Sequence, residues 1–332
     1  MNYVGVDLHK RSSYFCILNE QGDIVLQKDV VNNPSILKDF LSQIPKPFSL
    51  AFESTFNWYF FADIVHEFSS DVFMAKPFEL KAFAKQHKKN DRIDAHLIAK
   101  ILFQGFLPTA TITDQYTREV RELLRLRMTL VQDRSRNIVR LKNFMDKLGR
   151  PIQGSLTSTK NLQQIDASGL SDIYVKVIDD YKNRIDFLNQ RLSLMRKNIF
   201  AIIASDHDMK NLQTIPGIGF FSAALIKSEI ININRFQSFS RLCAYAGLAP
   251  RTMSSARKLY HGPLNKNRRK HLQWILLENV YTHINGLPDK NKKFDRLKKT
   301  KNHNTAKVIL ARDFLKVIYK VLKEQRPFYY NN

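Results

Sequence analysis

Cysteine is nearly absent: Cys16 and Cys243 are the only two in 332 residues. That excludes a disulfide framework and a cysteine-rich zinc site. Long apolar runs are also missing, and no stretch approaches the ~18 residues of a spanning helix. The N-terminus lacks the charged-then-apolar layout of a signal peptide and enters a strand at Tyr3. These absences predict a soluble protein of a reducing compartment. Acids are scarce too, 30 against 53 lysines and arginines, for a net charge of +23. Enzymes of small molecules seldom carry such an excess, so the partner is expected to be a polyanion, nucleic acid or an anionic membrane surface. What is present is globular: 44% apolar and 25% charged residues, at a length that suggests about two domains.

The charge is unevenly spread. Residues 1–75 hold five basic residues and nine acids, a net −4, which leaves +27 for the rest. From Arg251 to Lys301 there are fourteen basic residues and three acids. A membrane-surface helix would gather such charges opposite a broad apolar face. Here they punctuate loops and short helices, with Tyr260, Trp274 and Phe294 among them. That pattern favours phosphate-backbone contact with some stacking over a merely solvated face.

The first fifty residues alternate like strands. Tyr3–Leu8, Ser13–Leu18 and Asp23–Val31 read as an antiparallel meander with a polar turn at 19–22. Pro34–Leu41 reads as a helix, Ser49–Glu53 as a fourth strand, Trp58–Glu67 as a helix and Val72–Ala75 as a fifth strand. Pro77 opens another helix, and Asp91–Phe103 follows with Ile93, Leu97, Ile98, Ile101 and Leu102 at helical spacing. Three antiparallel strands and then alternating helix and strand is the order of a ribonuclease-H-like α/β domain.

Two long helices come next. Leu124, Val131, Ile138 and Met145 recur every seven residues in the first. Tyr174, Ile178, Tyr181, Ile185, Leu188, Leu192, Met195, Ile199 and Ile202 alternate steps of four and three in the second. This is a coiled-coil seam, though a plain helical bundle fits locally as well. Ser/Thr/Gln-rich 151–169 reads as the hairpin tip. Arg127 and Arg134 fall at seam positions and suggest a partner surface or a basic stripe. From Asn211 the chain reads as helical and basic. Ile215-Pro216-Gly217-Ile218-Gly219 before an apolar run suggests a helix-hairpin-helix, whose Gly217 and Gly219 would let backbone N–H groups approach phosphate. A tight turn between two helices fits it equally.

Four acids are placed for chemistry. Asp7 ends the first strand and Glu53 the fourth, and these strands are expected to be neighbours. Asp91 and Asp94, at i and i+3, share one face at the start of a helix. Such a group could hold two Mg²⁺ ions, or Mn²⁺, to clamp the attacking and leaving oxygens of a phosphodiester. Each acid has an ordinary alternative, with Asp91 as an N-cap and Asp94 as a favourable first-turn charge.

Gly-Val-Asp-Leu-His-Lys, the Glu53 strand and Lys-Asn-Asp-Arg-Ile-Asp-Ala resemble the DEDD transposases of insertion sequence 110 and its relatives. That family includes pilin-gene invertases and RNA-guided bridge recombinases. The resemblance extends to the paired long helices, the Ile-Pro-Gly-Ile-Gly segment and Cys-Ala-Tyr-Ala-Gly-Leu-Ala-Pro. It implies a RuvC-like catalytic domain over 1–110 with Asp7, Glu53, Asp91 and Asp94 as its metal-binding tetrad. A coiled-coil hairpin over 111–205 and a mostly α C-terminal domain over 206–332 would follow. It also implies a serine nucleophile in that last domain. Ser255 aligns best and Ser254 is the fallback. Ala256 stands where the family has glycine, and Lys266 is followed by Asn267, Arg268 and Arg269 instead of the family's Gly-Asn.

A serine hydroxyl needs activation, and His261 is the only local imidazole. Arg251, Arg257 and Lys258 could neutralise charge developing on a phosphate. Lys266, Arg268, Arg269 and Lys270 extend that basic surface toward nucleic acid. By resemblance the protein acts in the cytoplasm of a bacterium or archaeon, at the nucleoid, and its partners are donor and target DNA, a noncoding guide RNA, and further copies of the chain. In that assembly one subunit would lend its tetrad and another its serine. Two other readings stand beside this one: a two-metal structure-specific nuclease using water, and a non-catalytic nucleic-acid-binding protein. A DNA invertase is a variant within the resemblance.

Overall fold

The computed structural model describes residues 1–80, 82–83, 90–255, 258–265 and 268–329; for 251–255, 258–261 and 263 the description is of the backbone. The chain divides into two compact units, Met1–Thr113 and Asp114–Asn332.

The first unit is built on a six-stranded sheet. β1 (Asn2–Leu8), β2 (Ser12–Leu18) and β3 (Ile24–Val31) form the expected antiparallel meander. Its turn is fixed by Asn19, whose Oδ1 accepts from the N–H groups of Gln21 at 3.0 Å and Asp23 at 2.8 Å. α1 (Pro34–Ser42) starts at Asn33, whose side chain accepts from the Ser35 and Ile36 N–H groups, as an N-cap should. The helix carries the chain back across the sheet, so β4 (Phe48–Glu53) runs parallel to β1, with Val6 opposite Phe52. α2 (Trp58–His66), β5 (Val72–Ala75), α3 (Pro77–Leu80), α4 (Asp91–Phe103) and the two-residue β6 (Thr109–Ala110) complete the unit. The sheet order is β3-β2-β1-β4-β5-β6. The expected adjacency of the first and fourth strands is therefore present.

β1 and β4 are central and covered on both sides, so they read as near-continuous apolar runs. On one side Val4, Val6, Leu8, Leu50 and Phe52 pack with Phe15, Phe40 and Phe61. Each such side chain contributes about 1.5–3 kcal/mol on full burial. On the other side lies α4, through Ala95 and Ala99. Gly5 is what allows this. A Cβ there would sit 2.8 Å from Ala99 Cα and closer still to the Ala95 carbonyl oxygen and the Ala99 nitrogen. Without side-chain bulk, helix backbone rests on strand backbone.

The second unit is mostly helical. α5 (Gln115–Lys147) and α7 (Asp172–Ser205) have 33 and 34 residues, roughly 50 Å each at 1.5 Å per residue. They run antiparallel: Leu124 and Ile199 share one cluster, Leu141, Met145, Ile178 and Ile185 another, and Arg134 reaches Asn189 between them. Between the two helices, the tip carries one short helix, α6 (Thr159–Gln163), within what the sequence suggested was all loop. α8 (His207–Gln213) and α9 (Phe220–Ile230) follow, then a 3₁₀ turn at Ile233–Arg235 and α10 (Phe239–Tyr245). β7 (Pro250–Ser255) and β8 (Lys258–Leu264) pair as an antiparallel hairpin. α11 (Lys270–Asn285), α12 (Pro288–Thr300) and α13 (His303–Glu324) close the chain. The basic C-terminal stretch is thus a hairpin and three sizeable helices, where loops and short helices were expected. Among the described residues, no helix is long and apolar enough to cross a membrane.

Candidate active site

Asp7 and Glu53 sit at the C-terminal ends of two parallel neighbours, one position beyond the Val6–Phe52 pair. α4 crosses β1 at Gly5, so its first turn, which carries Asp91 and Asp94, lies above the same strand end. Asn90, not Asp91, caps α4: its Oδ1 accepts from the Arg92 N–H at 3.1 Å. Both aspartates are thereby left free of capping duty.

The electrostatics report the same convergence. Asp7 is 5% exposed, and its carboxyl is pushed up to about 6. Burial is the largest cause, the charges of Glu53, Asp94 and Asp91 add to it, and His9 opposes it. Desolvation and like charges both favour the neutral acid.

His9 is the residue that sequence reasoning passed over. Its Nε2 lies 3.1 Å from Asp7 Oδ2 and 3.3 Å from Asp91 Oδ2. Its backbone is anchored on both flanks, because the His9 carbonyl accepts from Asn32 Nδ2 and from Asn57 Nδ2, each at 2.7 Å. The signal was present in the strand periodicity: residues 7 and 9 leave a strand on the same face. Asp7, His9 and Asp91 each offer a ligand atom within 4.8 Å of the others, a grouping able to hold a metal ion. The donor set fits a hard divalent cation. It is rich in carboxylate oxygen, and a cation there would offset the cost of ionising Asp7, which burial raises most and the neighbouring acids raise further.

The other sequence-predicted residues lie in the second unit. Ser254 and Ser255 are the last residues of β7, opposite Leu259 and Lys258 of β8, where a polar loop was expected. Arg251 and Lys258 lie on the same two strands. Arg257 and Lys266 lie outside the described residues. Gly217 turns with φ +88°, and a Cβ there would meet the His283 backbone nitrogen of α11 at 2.6 Å. Gly219 is the N-cap of α9 with open space around it. Arg268 lies against Gly247 and donates to the Asn265 carbonyl at 3.2 Å. Lys270 opens α11, exposed.

Arg269 donates from Nε to Glu229 Oε2 at 3.0 Å. Glu229, 1% exposed on α9, is a further group that the sequence did not single out. Burial raises its pKa, but a hydrogen bond with His271 and the charges of Arg269, Arg121 and Arg125 outweigh that and hold it down to about 2. It ties α5, α9 and the start of α11 together.

Comparison with known proteins matches these features to one group. A family model of DEDD transposases of the IS110 type matches residues 4–149, and a model described as "Transposase IS116/IS110/IS902 family" matches 209–293. The chain is 24% identical over 276 residues to the transposase for insertion sequence element IS1328 of Yersinia enterocolitica, covering 83% of this chain and 81% of the relative. It is 24% identical over 266 residues to that for element IS1111A of Coxiella burnetii, covering 77% and 72%. A probable family 20 transposase of Pseudomonas aeruginosa is 20% identical over 337 residues, covering 98% of each chain.

Proposed function

The chain belongs to the IS110 transposase family, a family of DNA-acting enzymes, and from that premise we propose that it cuts and rejoins DNA as the transposase or site-specific recombinase of an insertion sequence. The observation that carries the reading is the gathering of Asp7, His9 and Asp91 within 4.8 Å of one another, with Glu53 ending the parallel strand beside Asp7.

In this reading the first unit is an RNase H-like, RuvC-like domain, supported by the β3-β2-β1-β4-β5 order with α4 over β1. Asp7, Glu53, Asp91 and Asp94 would hold Mg²⁺ or Mn²⁺. Such ions, when bound, polarise a phosphodiester and lower the cost of deprotonating an attacking hydroxyl. The Gly5 contact sets the spacing of the α4 acids from Asp7. His9, within hydrogen-bond reach of two of the carboxylates, orients them and is placed to exchange a proton with Asp7.

Ser255, with Ser254 as the fallback, is the proposed nucleophile. Its oxygen bonds to phosphorus as the bond to a deoxyribose oxygen breaks, and that oxygen leaves with a proton. The resulting serine–DNA ester keeps the phosphoester bond energy, so strands can be rejoined without an external energy source. Arg251, Arg257 and Lys258 would offset charge at the phosphate. The α8–α9 turn is read as a helix-hairpin-helix. Gly217, Gly219, Lys266, Arg268, Arg269 and Lys270 complete the proposed nucleic-acid contacts. The family reading adds a noncoding guide RNA and a homo-oligomer joined through the coiled-coil hairpin at 111–205, with the C-terminal domain beginning at 206.

The test is to incubate the protein with element-end DNA and Mg²⁺ and resolve the products on denaturing gels. Covalent protein–DNA adducts that disappear in Ser255→Ala, with all cleavage lost in Asp7→Asn, are expected. Free ends without adducts would replace the serine route with hydrolysis by water. Absence of Mg²⁺-dependent cleavage would leave only a binding role. Sequencing RNA that co-purifies tests the guide: one defined species supports it and random fragments refute it.

A further inference from the structure

On the α5 side the seam of the α5–α7 hairpin is interrupted in its middle by arginine, while Leu188, Leu192 and Met195 of α7 stay buried there. Along α5, the heptad line Val120, Arg127, Arg134, Leu141 is apolar at both ends, and Val120 and Leu141 are buried. The hairpin core accordingly falls into two clusters, one ending near Leu124 and Ile199 and the other beginning near Leu141 and Ile185. A charged side chain at a seam position weakens a coiled coil, so two in succession ask for a reason outside helix pairing.

Their surroundings supply no counter-charge. Among the described residues, none of Arg127, Arg134 and Arg196 makes an ion pair with a carboxylate. Arg134 donates to Asn189 Oδ1 at 3.1 Å, while its Nε and the Arg127 Nε are shielded without a hydrogen-bond partner. Burial lowers the Arg127 pKa, and the Arg134 and Arg196 charges push the same way. Beside them lies an aromatic stack. Phe200 and Phe220 lie 4.9 Å apart with rings 15° from parallel, and Phe200 is 43% exposed. The Arg196 guanidinium stands 5.4 Å from both ring centres, and Arg127 stands 4.2 Å from Phe221.

We infer that Arg127, Arg134 and Arg196, with the exposed Phe200 ring, form a binding site for an unpaired DNA strand, the arginines taking its phosphodiesters and Phe200 stacking a base. Cations without an ion-paired carboxylate beside a partly exposed aromatic ring are the two elements that single-strand binding combines. This inference rests on the DNA-processing reading above, in which strand exchange exposes unpaired DNA.

The test measures affinity for a mixed-sequence single-stranded DNA as a function of salt, using the full chain, and follows thermal unfolding alongside. Arg127→Leu/Arg134→Leu is chosen because apolar residues suit the seam, and its melting temperature should rise. Binding should weaken across sequences, and the slope of log affinity against log salt should fall by about 1.4, at ~0.7 for each phosphate no longer neutralised. Arg196→Gln, at an exposed position, should lower it by about 0.7. Phe200→Ala should weaken binding without changing the slope.

Wild-type slope and affinity in the arginine variants would overturn the site while leaving the DNA-processing reading intact. Failure of the wild-type chain to bind any DNA would overturn both. A slope decrease confined to a matched RNA would overturn the DNA assignment. A change in assembly mass at constant slope would give the arginines to a second copy of the chain and refute the site.

Discussion

A methyl group at Gly5 is the smallest change that should pull the proposed tetrad apart. In Gly5→Ala the new carbon would stand 2.8 Å from Ala99 Cα and nearer still to two backbone atoms of α4, where ordinary contact is ~3.5–4 Å. Helix backbone cannot rotate out of the way as a side chain could, so α4 must lift from β1 by about 1 Å. Overpacking of this kind costs about 1–3 kcal/mol. Alanine's narrower unfolded ensemble returns about 0.4–1 kcal/mol of it. The functional cost should be larger than the stability cost, because the same lift carries Asp91 and Asp94 away from Asp7. A displacement of ~1 Å can cost on the order of 10²-fold in rate. Urea unfolding and Mg²⁺-dependent DNA cleavage measure the two effects on one preparation. Wild-type stability with wild-type cleavage would refute the claim that this contact positions the site.

The remaining predictions concern the two buried carboxylates. Asp7 is raised from 3.8 to about 6, so the native state holds a proton that the unfolded chain has released. Ionised Asp7 therefore costs stability above pH 6, up to about 3 kcal/mol. With chelator present, Asp7→Asn should melt above wild type at pH 8, the gap closing as pH falls through 6 toward 4; in a separate assay with Mg²⁺ and no chelator, its cleavage should be lost. Equal melting at pH 8 would contradict the reading that burial, aided by the neighbouring acids, penalises the ionised Asp7. Glu229 runs the other way, lowered from 4.5 to about 2, so its stabilisation is present above pH 4.5 and lost as pH falls toward 2. Glu229→Gln should cost about 3 kcal/mol at pH 7 and much less at pH 3. A pH-independent difference in urea midpoints would show that the ion pairs contribute nothing.

The parts of this molecule legible in its sequence are those written in local periodicity. The meander, the strand β4, α4 and both long helices follow from apolar spacing, and Asp7, Glu53, Asp91 and Asp94 stand out as acids at element ends. His9 was legible in principle, two residues after Asp7 on the same strand face, but a lone histidine in a turn carries no signal until Asp91 comes beside it. The β7–β8 hairpin was hidden because Ser254 and Ser255 are small polar residues of the kind that favour loops, and cross-strand pairing with Leu259 and Lys258 overrides that. Glu229 was hidden for a different reason. It lies in a helix apolar on all sides, and its partners Arg121 and Arg269 are 108 positions before and 40 after it. Partners that distant leave no mark on a local pattern.

Calorimetric titration of the metal-free protein with Mn²⁺ tests the central claim most directly, with Asp7→Asn, Glu53→Gln and Asp94→Asn beside the wild type. The account predicts saturable uptake by the wild-type chain and its loss in each variant, although all remain folded. Equal uptake by the wild type and all three variants would contradict it.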